Sequence, residues 1–277
     1  MHRKLWLTCL SLGLLAFVMA FAACGDDDDA TPTPAPTPDP AQIAEVEDTA
    51  TKLLETDPTD AERVGFFTEH ITAKGVTYFG YPTAEECAAN AEDCIGDPTP
   101  VNSVSGTTIS GDDASTVADT DDGLVKLVLK REAGAWKLNG YAFNASEIPS
   151  GANVAAVSAV DYGYDWDKTG LTAGDPLVLS LKNDGQEAHM IVLAAVEDDF
   201  DPQVMIDSFP DLGPDDNPAG VTEFLDEFTA ATPGETGSIL LADGLEAGKY
   251  TFMCFINDPE GKAHVELGMY SEFEVAE

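Results

Sequence analysis

Four side chains with metal-binding chemistry lie in the last third of the chain: His189, Cys254, His264 and Met269. Two imidazoles, a thiolate and a thioether form the ligand set of a type 1 copper site, which suits both Cu(I) and Cu(II). Such a site changes oxidation state with little movement of its ligands. The sequence therefore predicts a redox protein, with these four residues as copper ligands, rather than a hydrolase or a structural spacer.

The N-terminus has the pattern of a secretion signal. Basic residues at 3–4 precede an apolar run at 5–21, and small residues lead to Cys24. The run is short for a stable membrane span. The segment Phe21–Cys24 resembles the bacterial lipobox, although Phe21 replaces the usual Leu. We expect residues 1–23 to be removed and Cys24 to carry lipid, which would anchor the protein to the outer face of the cell membrane. The alternative is a plain signal peptide with an incidental cysteine.

The five cysteines divide into groups with different expected fates. Cys9 leaves with the signal, and Cys24 is used by lipid. Cys87 and Cys94 close a short loop in an oxidising compartment, which favours a disulfide worth about 2–3 kcal/mol. Cys254 is then unpaired and open to oxidation outside the cell. Metal ligation would account for its presence.

The chain is strongly acidic, with 13 basic and 51 acidic residues. Two of the bases lie in the signal, so the mature chain is more acidic still. Such a surface repels nucleic acid and anionic headgroups and attracts basic partners. The charge therefore excludes nucleic acid as a partner and permits a basic redox protein. The alternative is that the acidic residues form solvated faces that maintain solubility and bind no partner.

Composition divides the mature chain into three parts. Residues 24–40 form an Asp- and Pro-rich linker, which we expect to be extended. Residues 41–147 are predicted to be an α+β domain, and residues 148–277 an all-β domain. Helical spacing at 43–54 and 60–72 is followed by period-two spacing in four predicted strands, at 104–109, 115–119, 124–131 and 136–141, with a hairpin turn at 132–135.

Two helices followed by a sheet that ends in Val125–Leu138 resemble the nuclear transport factor 2-like, or cystatin-like cone, families. The resemblance implies a curved antiparallel sheet that forms a core or houses a ligand. It carries no catalytic signature, and we interpret His70 as a residue on a helix surface.

The C-terminal part has the strand pattern of a two-sheet Greek-key sandwich. An interruption at 197–233 is predicted to contain a short helix at 221–228. The predicted strands lie at 154–166, 177–182, 189–193, 238–241, 248–254 and 271–276.

This strand order, with one His on an early strand and Cys, His and Met before the last one, resembles the cupredoxin family of plastocyanins and azurins over residues 152–277. By position, the resemblance implies that His189 and His264 are the imidazole ligands, Cys254 the thiolate and Met269 the axial thioether. Gly268 precedes Met269, as in the usual Gly-Met pair of the family.

The chain departs from the family at two places. Nine residues separate Cys254 from His264, where familiar members have two to four. Met190 follows His189, where plastocyanins carry an Asn that braces the ligand loop. We expect Asp258–Gly261 to form a turn that returns His264 to the sulfur.

These observations predict a membrane-anchored, extracytoplasmic blue copper protein that transfers one electron at a time between redox proteins. We expect His264 to be the exposed route for the electron. A multicopper oxidase is disfavoured, because such enzymes need more histidines than the four in this chain. Two alternatives stay open: a copper-buffering lipoprotein, and a metal-free module that binds another protein.

Overall fold

The structure is a computed structural model that describes residues 38–59, 62–89, 98–209 and 217–277. The described residues from Pro38 onward belong to one compact unit. The predictions for the signal peptide, for lipid at Cys24, for most of the linker and for Cys94 lie outside the described residues. The Cys87–Cys94 disulfide therefore stays a prediction; Cys87 itself is buried.

Five α-helices occur in the described ranges. They are α1 Pro40–Glu55, α2 Arg63–His70, α3 Ala73–Thr77, α4 Ala84–Ala89 and α5 Pro202–Ser208. The first begins where the side chain of Asp39 accepts a hydrogen bond from the backbone of Ala41, and it buries Val46, Ala50 and Leu53. The two helices predicted from apolar spacing are thus confirmed as α1 and α2. None of the described helices combines the length and hydropathy needed to cross a bilayer.

The chain is mostly β-structure, and the strands form two sheets. The larger sheet has the order β1-β2-β3-β4-β9-β8-β11-β12, and the smaller has the order β10-β7-β5-β6. The strand bounds are β1 Val101–Ser110, β2 Asp113–Thr120, β3 Gly123–Glu132, β4 Ala135–Asn144, β5 Asn153–Val160, β6 Gly163–Trp166, β7 Leu177–Asn183, β8 His189–Val196, β9 Val221–Ala231, β10 Thr236–Leu241, β11 Gly248–Met253 and β12 Tyr270–Val275.

The first four strands pair in chain order and form an antiparallel meander. Its last hairpin turns at Ala133 and Gly134, which both have positive φ angles, of 51° and 91°. The meander joins the C-terminal strands through one pairing, between Ala142 of β4 and Ala231 of β9. The predicted boundary at 147/148 falls between β4 and β5, which lie in different sheets, and the division into two domains stays a prediction.

The helix predicted at 221–228 is wrong. This segment is part of β9, which pairs antiparallel with β8 along most of its length. The helical prediction required the apolar residues of this segment to share one face, and in the strand they do not. Val221 and Phe224 pack under α5, Leu225 packs into the sandwich, and Phe228 is half-exposed. Pairing with β8 satisfies the backbone of this segment, so tertiary context overrides the local spacing.

The sandwich core lies between the two sheets and is centred on aromatic side chains. Phe252 is fully buried, and its ring contacts those of Tyr164, Trp166 and Phe273. Ile191 of β8 faces the same core. The core therefore fixes the inner faces of β8, which begins at His189, and of β11, which leads directly into Cys254.

Replacing Phe252 by alanine should lower the free energy of unfolding by about 3–5 kcal/mol, because the substitution leaves a cavity in this core. Denaturant unfolding of the metal-free protein measures the change. Phe228→Ala is the matched control, because the Phe228 side chain is 49% exposed and should cost much less. Equal losses in the two variants would contradict this description of the core.

Candidate metal centre

Three of the four predicted ligands meet at one end of the sandwich. His189 begins β8, Cys254 directly follows β11, and His264 opens a 3₁₀ turn at His264–Leu267. Because β11 pairs with β8, the first two are brought side by side. His264 Nδ1 lies 3.2 Å from His189 Nδ1 and 3.3 Å from Cys254 Sγ. The donor atoms of the three residues all lie within 4.8 Å of one another.

All three side chains are fully buried, and burial sets their protonation. Loss of solvation, together with the smaller effect of the neighbouring His264, lowers the pKa of His189 to about 4. Burial also lowers the pKa of His264. Both imidazoles are therefore neutral at pH 7, which is the form that binds a metal. Burial raises the pKa of the Cys254 thiol to about 12.

The sulfur of Cys254 accepts a hydrogen bond from the backbone of the neighbouring strand β8. The backbone N–H of Met190 donates to Sγ at 3.4 Å, and the Tyr164 hydroxyl donates to the carbonyl of Met190. Phe252 and Tyr250 share the inward face of β11, and Cys254 joins the same core cluster. The thiol is thus held at the end of the core, and it is the free cysteine among the described residues.

The long segment between Cys254 and His264 is a compact turn. The side chain of Asp258 accepts hydrogen bonds from the backbone of Glu260 at 2.9 Å and of Lys262 at 2.8 Å. The backbone N–H of Asp258 donates in turn to the carbonyl of Lys262 at 2.7 Å. The predicted turn at Asp258–Gly261 is confirmed, and it returns His264 to the sulfur despite the added length.

Met269 follows the 3₁₀ turn and is fully buried in the same core cluster as Cys254. Its backbone N–H donates to the carbonyl of His264 at 2.9 Å, and its carbonyl accepts from the N–H of Cys254 at 3.2 Å. The backbone of Met269 is thus tied to two of the clustered residues. Its role as an axial ligand stays a prediction.

The expectation that His264 is exposed is wrong. Its Nε2 lies 2.8 Å from a carboxylate oxygen of Glu187, and the Tyr162 ring packs edge-on against the imidazole with 5.2 Å between centroids. The cause is the turn between β7 and β8, which folds over the site. The turn and the Tyr162 ring thus form a cover over the His264 imidazole.

The cover is built on Asn183, which is fully buried at the end of β7. Its side-chain amide donates at 2.7 Å to the carbonyls of Glu187 and Ala231, and its oxygen accepts from the N–H of Gly185 at 2.9 Å. These bonds fix the turn that leads into His189. Asn183 therefore braces this turn from a position six residues before His189.

The outer nitrogen of His189 has a different environment. His189 Nε2 lies 3.7 Å from Asp161 Oδ1, and it is buried without a hydrogen-bond partner among the described residues. Sequence reasoning missed both Asp161 and Glu187. The one available signal was the position of Glu187 two residues before a predicted ligand; Asp161 lies in a distant hairpin and carries no such signal.

No protein-family model matches the chain, and no curated protein matches it. Solved structures do resemble it. A reduced auracyanin from the photosynthetic bacterium Roseiflexus castenholzii is 24% identical, covering 46% of this chain and 100% of its own, with a TM-score of 0.32. Auracyanin A, a blue copper protein from Chloroflexus aurantiacus, is 17% identical, covering 45% and 99%, with a TM-score of 0.31. Rusticyanin from Thiobacillus ferrooxidans is 14% identical, covering 44% and 75%, with a TM-score of 0.26.

The chemistry of the residues in the cluster decides whether a metal fits this site. Two neutral imidazole nitrogens and one cysteine sulfur converge, and soft thiolate with imidazole suits copper. The convergence is buried within a core rather than exposed on a solvated acidic face. His189, Cys254 and His264 could therefore hold a copper ion.

Proposed function

We propose that this chain is a blue copper protein that carries single electrons. The observation that carries the proposal is the meeting of His189 Nδ1, His264 Nδ1 and Cys254 Sγ in a buried cluster. Copper bound there would supply the one-electron chemistry. The residues of the chain supply a rigid frame of two paired strands and a braced turn, so that the ligands need not move between oxidation states. In this role the chain carries electrons and converts no substrate.

The proposal also places the protein outside the cytoplasm, on the membrane. The signal pattern at 1–23 and the lipobox-like Phe21–Cys24 support this location. Two or three acyl chains on Cys24 would give stable anchoring, because each buried CH₂ contributes about 0.8 kcal/mol. The linker at 24–40 would then hold the folded unit away from the bilayer.

An electron partner would approach over an acidic rim. The Asp161 side chain is 45% exposed and that of Glu187 is 29% exposed, and both lie directly over the histidines. A basic face on the partner fits this rim, and added salt should slow association by screening the attraction. The partner does not contact the His264 ring directly, since that ring is buried.

The same cover favours a second candidate function, the holding of copper without an electron partner. All three donor residues are fully buried, so bound metal would be shielded from solvent. This function needs no route for an electron and no return to the other oxidation state.

Repeated electrochemical cycling of the copper-loaded protein separates the two functions. An electron carrier should pass through many reduction and oxidation cycles with the copper content unchanged. A copper-holding protein should bind Cu(I) firmly at low potential. When the potential is raised, it should either release the metal or fail to reoxidise it. Metal analysis after gel filtration at each stage supplies the measurement.

A further inference from the structure

We propose that Glu187 is a positioning residue for the copper site, an inference that rests on the proposed function. Its carboxylate holds the outer nitrogen of His264 and so leaves the inner nitrogen for the metal. The distance from Glu187 Oε2 to His264 Nε2 is 2.8 Å, which is a short hydrogen bond. Nothing in the ligand pattern of the sequence assigns this residue a role.

The chemistry of the pair selects one tautomer of the imidazole. An ionised carboxylate only accepts hydrogen bonds, so Nε2 of His264 must carry the proton. Nδ1 then has a free lone pair, and it points to Cys254 Sγ at 3.3 Å and His189 Nδ1 at 3.2 Å. Partners of this kind fix ring orientation and raise the basicity of a metal-binding histidine.

The carboxylate is itself held in place. The Tyr162 hydroxyl donates to Glu187 Oε1 at 3.4 Å, and the carbonyl of Glu187 accepts from the buried Asn183 amide at 2.7 Å. Glu187 stands two residues before His189 on the same turn. One braced segment therefore carries one proposed ligand and the side chain that orients the other, which ties the positions of the two imidazoles together.

Among the described residues, His189 has no carboxylate hydrogen bond of this kind, so its neighbour Asp161 provides a control. Asp161 approaches His189 Nε2 only to 3.7 Å, and no hydrogen bond forms there. Asp161 Oδ1 instead accepts from the backbone of Gln186 at 2.8 Å. Asparagine at 161 keeps that oxygen, so Asp161→Asn should change the charge beside the site without changing the orientation of either ring.

The first test needs no metal. Nitrogen NMR of the metal-free protein should show His264 as a single tautomer with the proton on Nε2. Glu187→Gln should keep that tautomer, because the amide oxygen still accepts, whereas Glu187→Ala and Glu187→Met should give a mixture. Far-ultraviolet circular dichroism establishes that each variant is folded. The same single tautomer in both Ala and Met variants would overturn the inference.

The second test measures copper affinity by competition with a chelator. Glu187→Ala and Glu187→Met should bind Cu(II) about 10- to 100-fold more weakly than the wild type. Glu187→Gln and Asp161→Asn should stay close to the wild type. Equal affinity and identical visible spectra in the wild type, Ala and Met proteins would overturn the inference. A wild type that binds no copper would instead refute the proposed function, and the tautomer measurement would still decide whether Glu187 orients His264.

Discussion

Replacing His189 by alanine should nearly abolish copper binding. His189 supplies one of the two imidazole nitrogens, and its Nδ1 lies 3.2 Å from that of His264. Because the site is fully buried, no external ligand is placed to substitute for it. The affinity for Cu(II) should fall by more than the 10- to 100-fold that is typical when only an outer partner of a ligand is removed. Competition with a chelator, followed by metal analysis, measures the loss.

His70→Ala is the matched control for this change. His70 ends α2, and its ring packs against Phe66. It is the histidine of the described residues that lies outside the cluster, so its loss should leave copper affinity unchanged. If His189→Ala bound copper as tightly as His70→Ala, the metal would have to lie elsewhere in the chain.

Adding one methyl group at Gly185 should disturb the site from outside. A Cβ at this position would lie 2.7 Å from His189 Nε2 and 2.6 Å from Asp161 Oδ1, distances that real Cβ atoms essentially never show. The His189 ring is buried, so either the ring shifts toward His264 or the braced turn lifts. We expect Gly185→Ala to lose about 1–3 kcal/mol of stability through overpacking. Copper affinity should fall at least about 10-fold, as for loss of an outer partner.

Gly65→Ala tests whether that effect is specific to the site. Gly65 lies in α2, and a Cβ there would meet nothing within 4 Å. Alanine is the better helix former by about 0.5–1 kcal/mol, so this variant should be slightly more stable and should bind copper normally. A steric clash at position 185 requires Gly185→Ala to lower the free energy of unfolding, whereas Gly65→Ala should raise it slightly. A Gly185→Ala protein with wild-type copper affinity would contradict this explanation.

The parts of the molecule that the sequence predicts best are those with local signals. Helical spacing is repeated over several turns in α1, and alternation is repeated in β2, β3 and β4, so these elements could be located. Cys254, His264 and Met269 could be related because they lie close together in sequence. The turn that returns His264 could be predicted from Asp258 and Gly261, which are typical turn residues.

The parts that the sequence does not predict depend on distant contacts. β9 was mistaken for a helix because its apolar spacing fits 3.6 residues, and only pairing with β8 decides its structure. The burial of His264 depends on Glu187, which lies in a turn more than seventy residues earlier in the chain. Asp161 reaches His189 from a hairpin between β5 and β6. No local pattern records such approaches.

The most direct test of the account is the visible spectrum of the purified protein as Cu(II) is added. We expect an intense thiolate-to-copper charge-transfer band that saturates near one equivalent and is absent from Cys254→Ser. The serine variant is the proper control, because it keeps the size and burial of the residue and removes the sulfur. A colourless protein whose Cys254 reacts freely with an alkylating reagent in the presence of copper would contradict the account.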